Sequence, residues 1–375
     1  MAREHDREND KERQLRRWQK AQRHLVSRDE EQRRKQAAKA AHAARRDRPR
    51  QRHIDDDDVG GVEAMKRRAV AAPPRERANV DALPCGTVTA VHKNGIAIDG
   101  VPARLGTELV LDPEQRPVVG DEVRYVATDG PPRAVALLPR RSMLARPDPG
   151  HAHRQLVLAA NVDVALIVVA VADPPLRPGL IDRCLVALHR GGVPPAVCAN
   201  KVDLLDAAGR REVDVRLAPY RELGVPVLAC SADTGEGIDA LRALVAGKTV
   251  VLLGHSGVGK SSLANALDPD GGRRTGAVRD HDGRGRHTTT ASSLRQLADG
   301  TRLIDTPGVR AFGLDAPSRD DLDAAFAEFA PFAARCRFRD CTHASEPDCG
   351  VHAAVAAGLL SPARVASFGR LLADP

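Results

Sequence analysis

The apolar and polar positions of this 375-residue chain fall into four textures. Residues 1–80 carry no sustained apolar stripe. Positions 12–46 are rich in helix-forming Gln, Lys, Arg and Ala but offer no face to bury. Such a segment cannot offset its ordering entropy, so a disordered arm or a solvated helix is expected. From Pro84 to Leu138 short β-prone runs take over, at 86–92, 95–98, 103–111 and 122–127. Asn94-Gly95, Asp99-Gly100 and Val119-Gly120-Asp121 punctuate them. Strands at this spacing predict a small barrel. An OB-type barrel fits the pattern, and an SH3-like barrel would read much the same.

From about Asn161 the rhythm alternates between strand and helix. Positions 162–172 are nearly all apolar, as a strand buried on both faces of a parallel sheet should be. An amphipathic helix is expected at 178–190, strands at 195–202 and 225–230, a helix at 238–246, a strand at 249–253 and a helix at 260–266. This order predicts a doubly wound α/β sheet. After about Asp315 the chain reads as helical (320–334), then cysteine-rich, then helical again (351–373). The expected domains are an Arg-rich extension (1–80), a barrel (83–140), an α/β domain (150–315) and a small, mostly helical domain (316–375).

Charge changes the picture mainly at the N-terminus. Residues 1–80 hold 23 Lys+Arg against 15 Asp+Glu, and the rest of the chain 34 against 35. The arm is either a phosphate-binding segment or a solubility tail, since the acidic run Asp55–Asp58 interrupts its basic character. No stretch approaches the roughly 18 apolar residues that span a bilayer. The charged start from Arg3 onward lacks the pattern of a secretory signal, so a cytoplasmic location without membrane contact is expected. The seven cysteines are odd in number and mostly scattered through apolar runs, unlike a disulfide framework.

The chemistry is concentrated in four motifs. Gly254, His255, Ser256, Gly257, Val258, Gly259, Lys260 and Ser261 fit the phosphate-loop pattern G-x-x-x-x-G-K-[ST], between an apolar strand and a helix. The glycines let backbone N–H groups turn toward phosphates. Lys260 would neutralise β/γ-phosphate charge, and Ser261 would ligate Mg²⁺. Next, Asn200, Lys201 and Asp203 form N-K-x-D at a strand end, and Ser231-Ala232 follows the next strand. The Asp of such a motif accepts from guanine N1 and N2, a donor pair that adenine lacks. A third motif, Asp305-Thr306-Pro307-Gly308, would hold Mg²⁺ through a water at Asp305 and sense the γ-phosphate with the Gly308 amide.

Between the phosphate loop and Asp305 lies a polar, Gly-rich segment ending in His287, Thr288, Thr289 and Thr290, the composition of a switch loop. Thr289 or Thr290 is expected to complete the Mg²⁺ shell. The residue after Gly308 is Val309, which cannot orient water as the Gln of Ras-like proteins does. His287 is the nearest polar substitute and the expected catalytic residue. Cofactors are therefore GTP or GDP and Mg²⁺. The base motifs precede the phosphate loop, whereas in an ordinary G domain they come last, so the domain is circularly permuted. The fourth motif is Cys336, Cys341, His343 and Cys349, a complete tetrahedral set for one structural Zn²⁺, with His352 an alternative to His343.

The permuted order, the preceding barrel and the Cys-Cys-His-Cys cluster resemble the RsgA (YjeQ/EngC) family of small-ribosomal-subunit biogenesis GTPases over about residues 83–372. Ala160-Asn161-Val162-Asp163, Ile181-Asp182-Arg183, the run from Gly257 through Ser261 and Ser262 to Leu263, and Arg286–Thr290 look like family signatures. The resemblance implies an OB-fold, a permuted G domain and a zinc domain. It implies binding of the small ribosomal subunit and its rRNA through the two outer domains late in assembly, with subunit-stimulated GTP hydrolysis and release on hydrolysis. By the same match His287 is catalytic and Cys336, Cys341, His343 and Cys349 are zinc ligands. A monomer is expected. The chain departs from the pattern in its long Arg-rich extension and in His255, where Gln is common. That position turns its backbone, not its side chain, toward the phosphates.

Overall fold

Why one polypeptide can carry these motifs at a single site follows from which strand ends its sheet brings level. The computed structural model describes residues 80–92, 95–111, 116–148, 151–268, 292–305 and 317–373. The expectations for the N-terminal extension (residues 1–79) and for the loop bearing His287 lie outside them.

The first part is a barrel of β1 (Cys85–His92), β2 (Gly95–Ile98), β3 (Val101–Leu105), β4 (Glu122–Val126) and β5 (Arg133–Leu137). Its order is β1-β2-β3-β5-β4, closed by pairing of β1 with β4, and β3 runs parallel to β5. This is an OB-like barrel. Its core is small: Val88, Ile96, Ile98, Ala103, Leu109, Val123 and Ala134. The expected strand at 103–111 is corrected. β3 ends at Leu105, and a short helix α1 (Thr107–Leu111) follows. The Gly106 amide donates to the Ala134 carbonyl at 2.7 Å, and Leu109 is buried at 1% exposure. Sealing the barrel with Leu109 takes the apolar run out of the strand.

A hairpin of β6 (Met143–Asp148) and β7 (His151–Ala160) leads to the second part. There β8 (Val164–Ala170), α2 (Pro178–Arg190), β9 (Pro195–Asn200), α3 (Ala207–Glu222), β10 (Val227–Cys230), α4 (Ile238–Val245), β11 (Thr249–Leu253) and α5 (Lys260–Leu267) alternate, followed by β12 (Ser292–Gln296) and β13 (Arg302–Asp305). The strands lie in the order β10-β9-β8-β11-β13-β12, all parallel except β12. Every residue of β8 is buried. Its side chains alternate between two cores. Ala165, Ile167 and Val169 meet Ile181, Leu188 and Leu217 from α2 and α3. Val164, Leu166 and Val168 meet Leu241, Val245 and Leu263 from α4 and α5. This two-sided burial is why the strand lacks a polar face.

The barrel joins this sheet edge to edge. β1 pairs antiparallel with β12, with Ala90 opposite Ser293, so one sheet runs through eleven strands. Asn161, in the left-handed region at φ 53°, braces the junction. It donates to the Gly120 carbonyl and accepts from the Arg141 amide, both at 2.9 Å. Asp163 accepts from the Thr249 amide at the start of β11, 2.8 Å away.

The C-terminal part holds α6 (Arg319–Ala325), α7 (Ala330–Ala333), α8 (Gly350–Ala356) and α9 (Pro362–Ala373). The helix expected at 320–334 is interrupted by a 3-10 turn at Ala327–Phe329. The one expected at 351–373 is broken by Gly358 at φ 71° and by Pro362 at the start of α9. This part is fastened to α2 by a buried ion network. Arg364 donates to Asp182 at 2.6 Å and to Glu328 at 2.7 Å, and lies 3.9 Å from the Phe326 ring centroid. The Tyr220 hydroxyl donates to Asp182 at 2.7 Å.

Candidate functional site

In an open parallel sheet, loops leaving the carboxyl ends of the strands share one edge, and ligands bind there. Four such ends carry the motifs. β9 ends at Asn200, level with Ala170 of β8 and Cys230 of β10. β10 delivers Ser231-Ala232, β11 delivers Gly254, and β13 ends in the exposed Asp305.

The phosphate loop is built by glycines in backbone conformations that would strain any other residue. Gly254, Gly257 and Gly259 have φ of 136°, 86° and 94°. A Cβ on Gly254 would lie 2.3 Å from the Val168 carbonyl oxygen, and one on Gly259 2.2 Å from Nδ2 of the Asn200 side chain. The Lys260 ammonium folds back over the loop and donates to the carbonyls of Gly254 at 2.5 Å and His255 at 2.7 Å. Val258 is buried, while Ser256, Ser261 and Ser262 are exposed. The N-terminus of α5 begins at Lys260, so its amides and partial positive charge face the loop.

The base motifs are tied to this loop by one side chain. Asn200, 1% exposed, donates from Nδ2 to the Val258 carbonyl at 2.9 Å. Its Oδ1 accepts from the Ala232 amide at 3.2 Å. Asn200 thus joins the N-K-x-D strand end, the phosphate loop and the Ser-Ala loop. Lys201 sits in the left-handed region at φ 70°, and its ammonium donates to the Asp173 carbonyl. Asp203 lies half-exposed in a 3-10 turn at Val202–Leu204. Ser231 is fully buried, its hydroxyl accepting from the Thr234 amide at 3.1 Å. His287, Thr289, Thr290 and Gly308 lie outside the described residues.

Cys336, Cys341, His343 and Cys349 form a second cluster, with ligand atoms all within 4.8 Å of one another. Tetrahedral zinc with bonds of about 2.3 Å to sulfur and 2.0–2.1 Å to nitrogen needs S···S edges of about 3.8 Å and S···N edges of about 3.6 Å. The Cys336 and Cys349 sulfurs are 3.8 Å apart, and they lie 3.6 and 3.5 Å from His343 Nδ1. The donor set therefore fits a closed zinc site. Burial alone would raise the Cys336 thiol, but the amides of Gly350 and Val351 at the start of α8 bring it below the ordinary range. His352 belongs elsewhere, with Nε2 on the carbonyls of His343 and Ala344 at 3.0 and 3.1 Å.

Sequence reasoning did not anticipate the double hydrogen bond of Asn200, the Asp182–Arg364 fastening or the pairing of β1 with β12. The Ile181–Arg183 signature marked the second of these places, and Ala160–Asp163 marked the bonds of Asn161 and Asp163, without saying why.

Comparison with known proteins agrees with this arrangement. Residues 137–315 match the family model described as RsgA GTPase. The Small ribosomal subunit biogenesis GTPase RsgA of Pseudomonas aeruginosa is 44% identical over 260 residues, covering 68% of this chain and 75% of that protein. The protein of the same name from Azotobacter vinelandii is 38% identical over 329 residues, covering 83% and 93%. Among solved structures, YjeQ from Thermotoga maritima superposes with a TM-score of 0.63 at 29% identity, covering 77% of this chain and 97% of that one. YloQ, described as a circularly permuted GTPase, shares the fold with a TM-score of 0.58 at 24% identity, covering 80% and 97%. The chain belongs to the RsgA GTPase family and is a GTP-hydrolysing enzyme with a circularly permuted G domain.

Proposed function

We propose that this GTPase binds the small ribosomal subunit and its rRNA through its barrel and zinc-binding parts, assists late maturation in the cytoplasm, and leaves when GTP is hydrolysed. The observation that carries the nucleotide chemistry is Asn200, whose side chain holds the phosphate loop and the base loops together although 58 residues separate it from Val258. The partner rests on kinship, since the relatives are named for small-subunit biogenesis. Zinc, if held by Cys336, Cys341, His343 and Cys349, stabilises the C-terminal part rather than catalysing a step.

In this reading the amides of Gly254–Ser262 cradle the phosphates and Lys260 offsets β/γ charge. Ser261 and Thr289 or Thr290 ligate Mg²⁺, with Asp305 acting through a water. Asp203 accepts from the guanine edge, with Asn200, Lys201, Ser231 and Ala232 shaping its loop. The Gly308 amide reports the γ-phosphate, and His287 orients the attacking water. The working unit is a monomer of extension, barrel (83–140), G domain (150–315) and zinc domain (316–375).

Steady-state GTP hydrolysis with and without purified small subunits, with ATP as control, tests the proposal. GTP-specific turnover that rises with subunit supports it, and turnover indifferent to the subunit refutes the assembly role. His287→Ala should slow turnover at least about 100-fold, the lower range for a general acid–base group, with little change in GTP affinity. Equal losses in turnover and affinity would remove His287 as the water-orienting residue.

A further inference from the structure

The chain is poor in aromatics, with six phenylalanines, two tyrosines and one tryptophan. Phe326, Phe329 and Phe368 pack ring to ring in the core of the C-terminal part, at centroid distances of 5.3 to 5.5 Å. Phe338 does the opposite. It is 42% exposed, midway along the loop between two cysteines of the metal cluster. That loop reads Arg335-Cys336-Arg337-Phe338-Arg339-Asp340-Cys341, and Arg335, Arg337, Arg339 and Asp340 are all exposed.

The loop is held at several points. Cys336 and Cys341 anchor its two ends, the Arg337 amide donates to the Asp348 carbonyl at 3.3 Å, and the Cys341 amide donates to the Phe338 carbonyl at 3.4 Å. The Arg337 guanidinium lies 5.6 Å from the Phe338 ring centroid. Its ion pair with Asp348, at 3.3 Å, is 62% and 72% exposed, so it exchanges readily for another anion. Arg335 and Arg339 have no carboxylate partner among the described residues. Of the nearby acids, Glu346 is turned onto its own loop by Thr342, Ala344 and Ser345. Asp340 alone opposes the arginines within the loop.

An exposed flat ring with one guanidinium beside it and two further exposed arginines in the same short loop fits one chemistry closely. Unpaired bases stack on aromatic faces and arginine planes while neighbouring phosphates take the charge. A duplex or an acidic peptide would use the arginines and leave the ring idle. We propose that the 335–340 loop is a stacking platform for an unpaired RNA base, with Phe338 taking the base and Arg335, Arg337 and Arg339 the flanking phosphates. This rests on the reading that the partner is an RNA-rich particle, and it names the residues that would grip it.

The test titrates the full-length protein, with Mg²⁺ and a non-hydrolysable GTP analogue, against a short fluorescent single-stranded RNA, its duplex and purified small subunits. Phe338→Ala should bind the single strand about 5- to 100-fold more weakly, with zinc content and basal GTP turnover unchanged, and Phe338→Trp should restore binding. Arg337→Ala and Arg339→Ala should each flatten the log–log salt dependence by about 0.7. Wild-type binding to duplex as tight as to single strand, or a Phe338→Ala variant equal to wild type, overturns the platform. A wild type that binds single strands through Phe338 yet ignores the subunit supports the platform and refutes the assembly role. A wild type that binds the subunit while Phe338→Ala matches it on every RNA refutes the platform alone.

Discussion

Replacing Asn200 by Ala separates the phosphate loop from the base loops without touching any group proposed to meet the phosphates. Asn200 is buried and makes two hydrogen bonds through one amide group, to the Val258 carbonyl at 2.9 Å and from the Ala232 amide at 3.2 Å. Truncation leaves both partners unpaired. A buried polar group without a partner costs about 1–3 kcal/mol. Val258 is fully buried and lies at the upper part of that range, whereas Ala232 is half-buried and can recover water. The sum is about 2–4 kcal/mol. At about 2–4 °C per kcal/mol for a domain of this size, the nucleotide-free protein should melt about 4–16 °C lower. The affinity for fluorescent GDP should fall about 10- to 100-fold, because about 1.4 kcal/mol is one decade and both loops lose their mutual brace. Asn200→Asp keeps the volume and the acceptor for Ala232 but sets a carboxylate against the Val258 carbonyl, so it should be no better than Ala. Thermal unfolding by circular dichroism and a GDP titration read both effects. A variant that melts within about 1 °C of wild type and binds GDP equally would show that Asn200 is not the brace.

Cys341→Ser should reduce bound zinc from one per chain toward none and lower the helical signal of the C-terminal part, because a structural site contributes folding energy directly. Metal analysis and circular dichroism check this, and full zinc occupancy in the variant would remove Cys341 from the ligand set. Asp182→Ala leaves Arg364 buried with Glu328 as its remaining carboxylate, 2.7 Å away. The loss should be about 3 kcal/mol, the lower end for a broken buried pair, read as a reduced denaturant midpoint. An unchanged midpoint would mean that the network does not fasten the C-terminal part to α2.

What could be read from residues alone was local. The phosphate loop is a contiguous run whose glycines permit the positive φ that Gly254, Gly257 and Gly259 adopt, so its identity survives without knowledge of the fold. The Cys-Cys-His-Cys cluster lies within 14 residues, close enough for spacing alone to propose a metal. Positions 162–172 announced a strand buried on both faces by being nearly all apolar, and it runs over Val164–Ala170. The run at 103–111 predicts a strand but splits into β3 and α1, because an apolar stretch can belong to either element and the Gly106–Ala134 hydrogen bond and the burial of Leu109 decide between them.

The remaining features depend on partners distant in sequence. Asp182 meets Arg364 across 182 positions, and neither residue type announces burial or pairing. β1 and β12 each offer the same unpaired backbone groups as any other edge, so nothing in their residues says that a barrel strand will extend the nucleotide-domain sheet. The sequence by itself therefore determined the permuted order of the motifs and the candidate residues for phosphate, guanine and zinc. Only the tertiary structure decided that Asn200 would brace two loops and that the barrel would join the sheet at β12. Backbone pairing and burial are chosen by the whole fold, whereas turn geometry and ligand type are properties of a few adjacent residues.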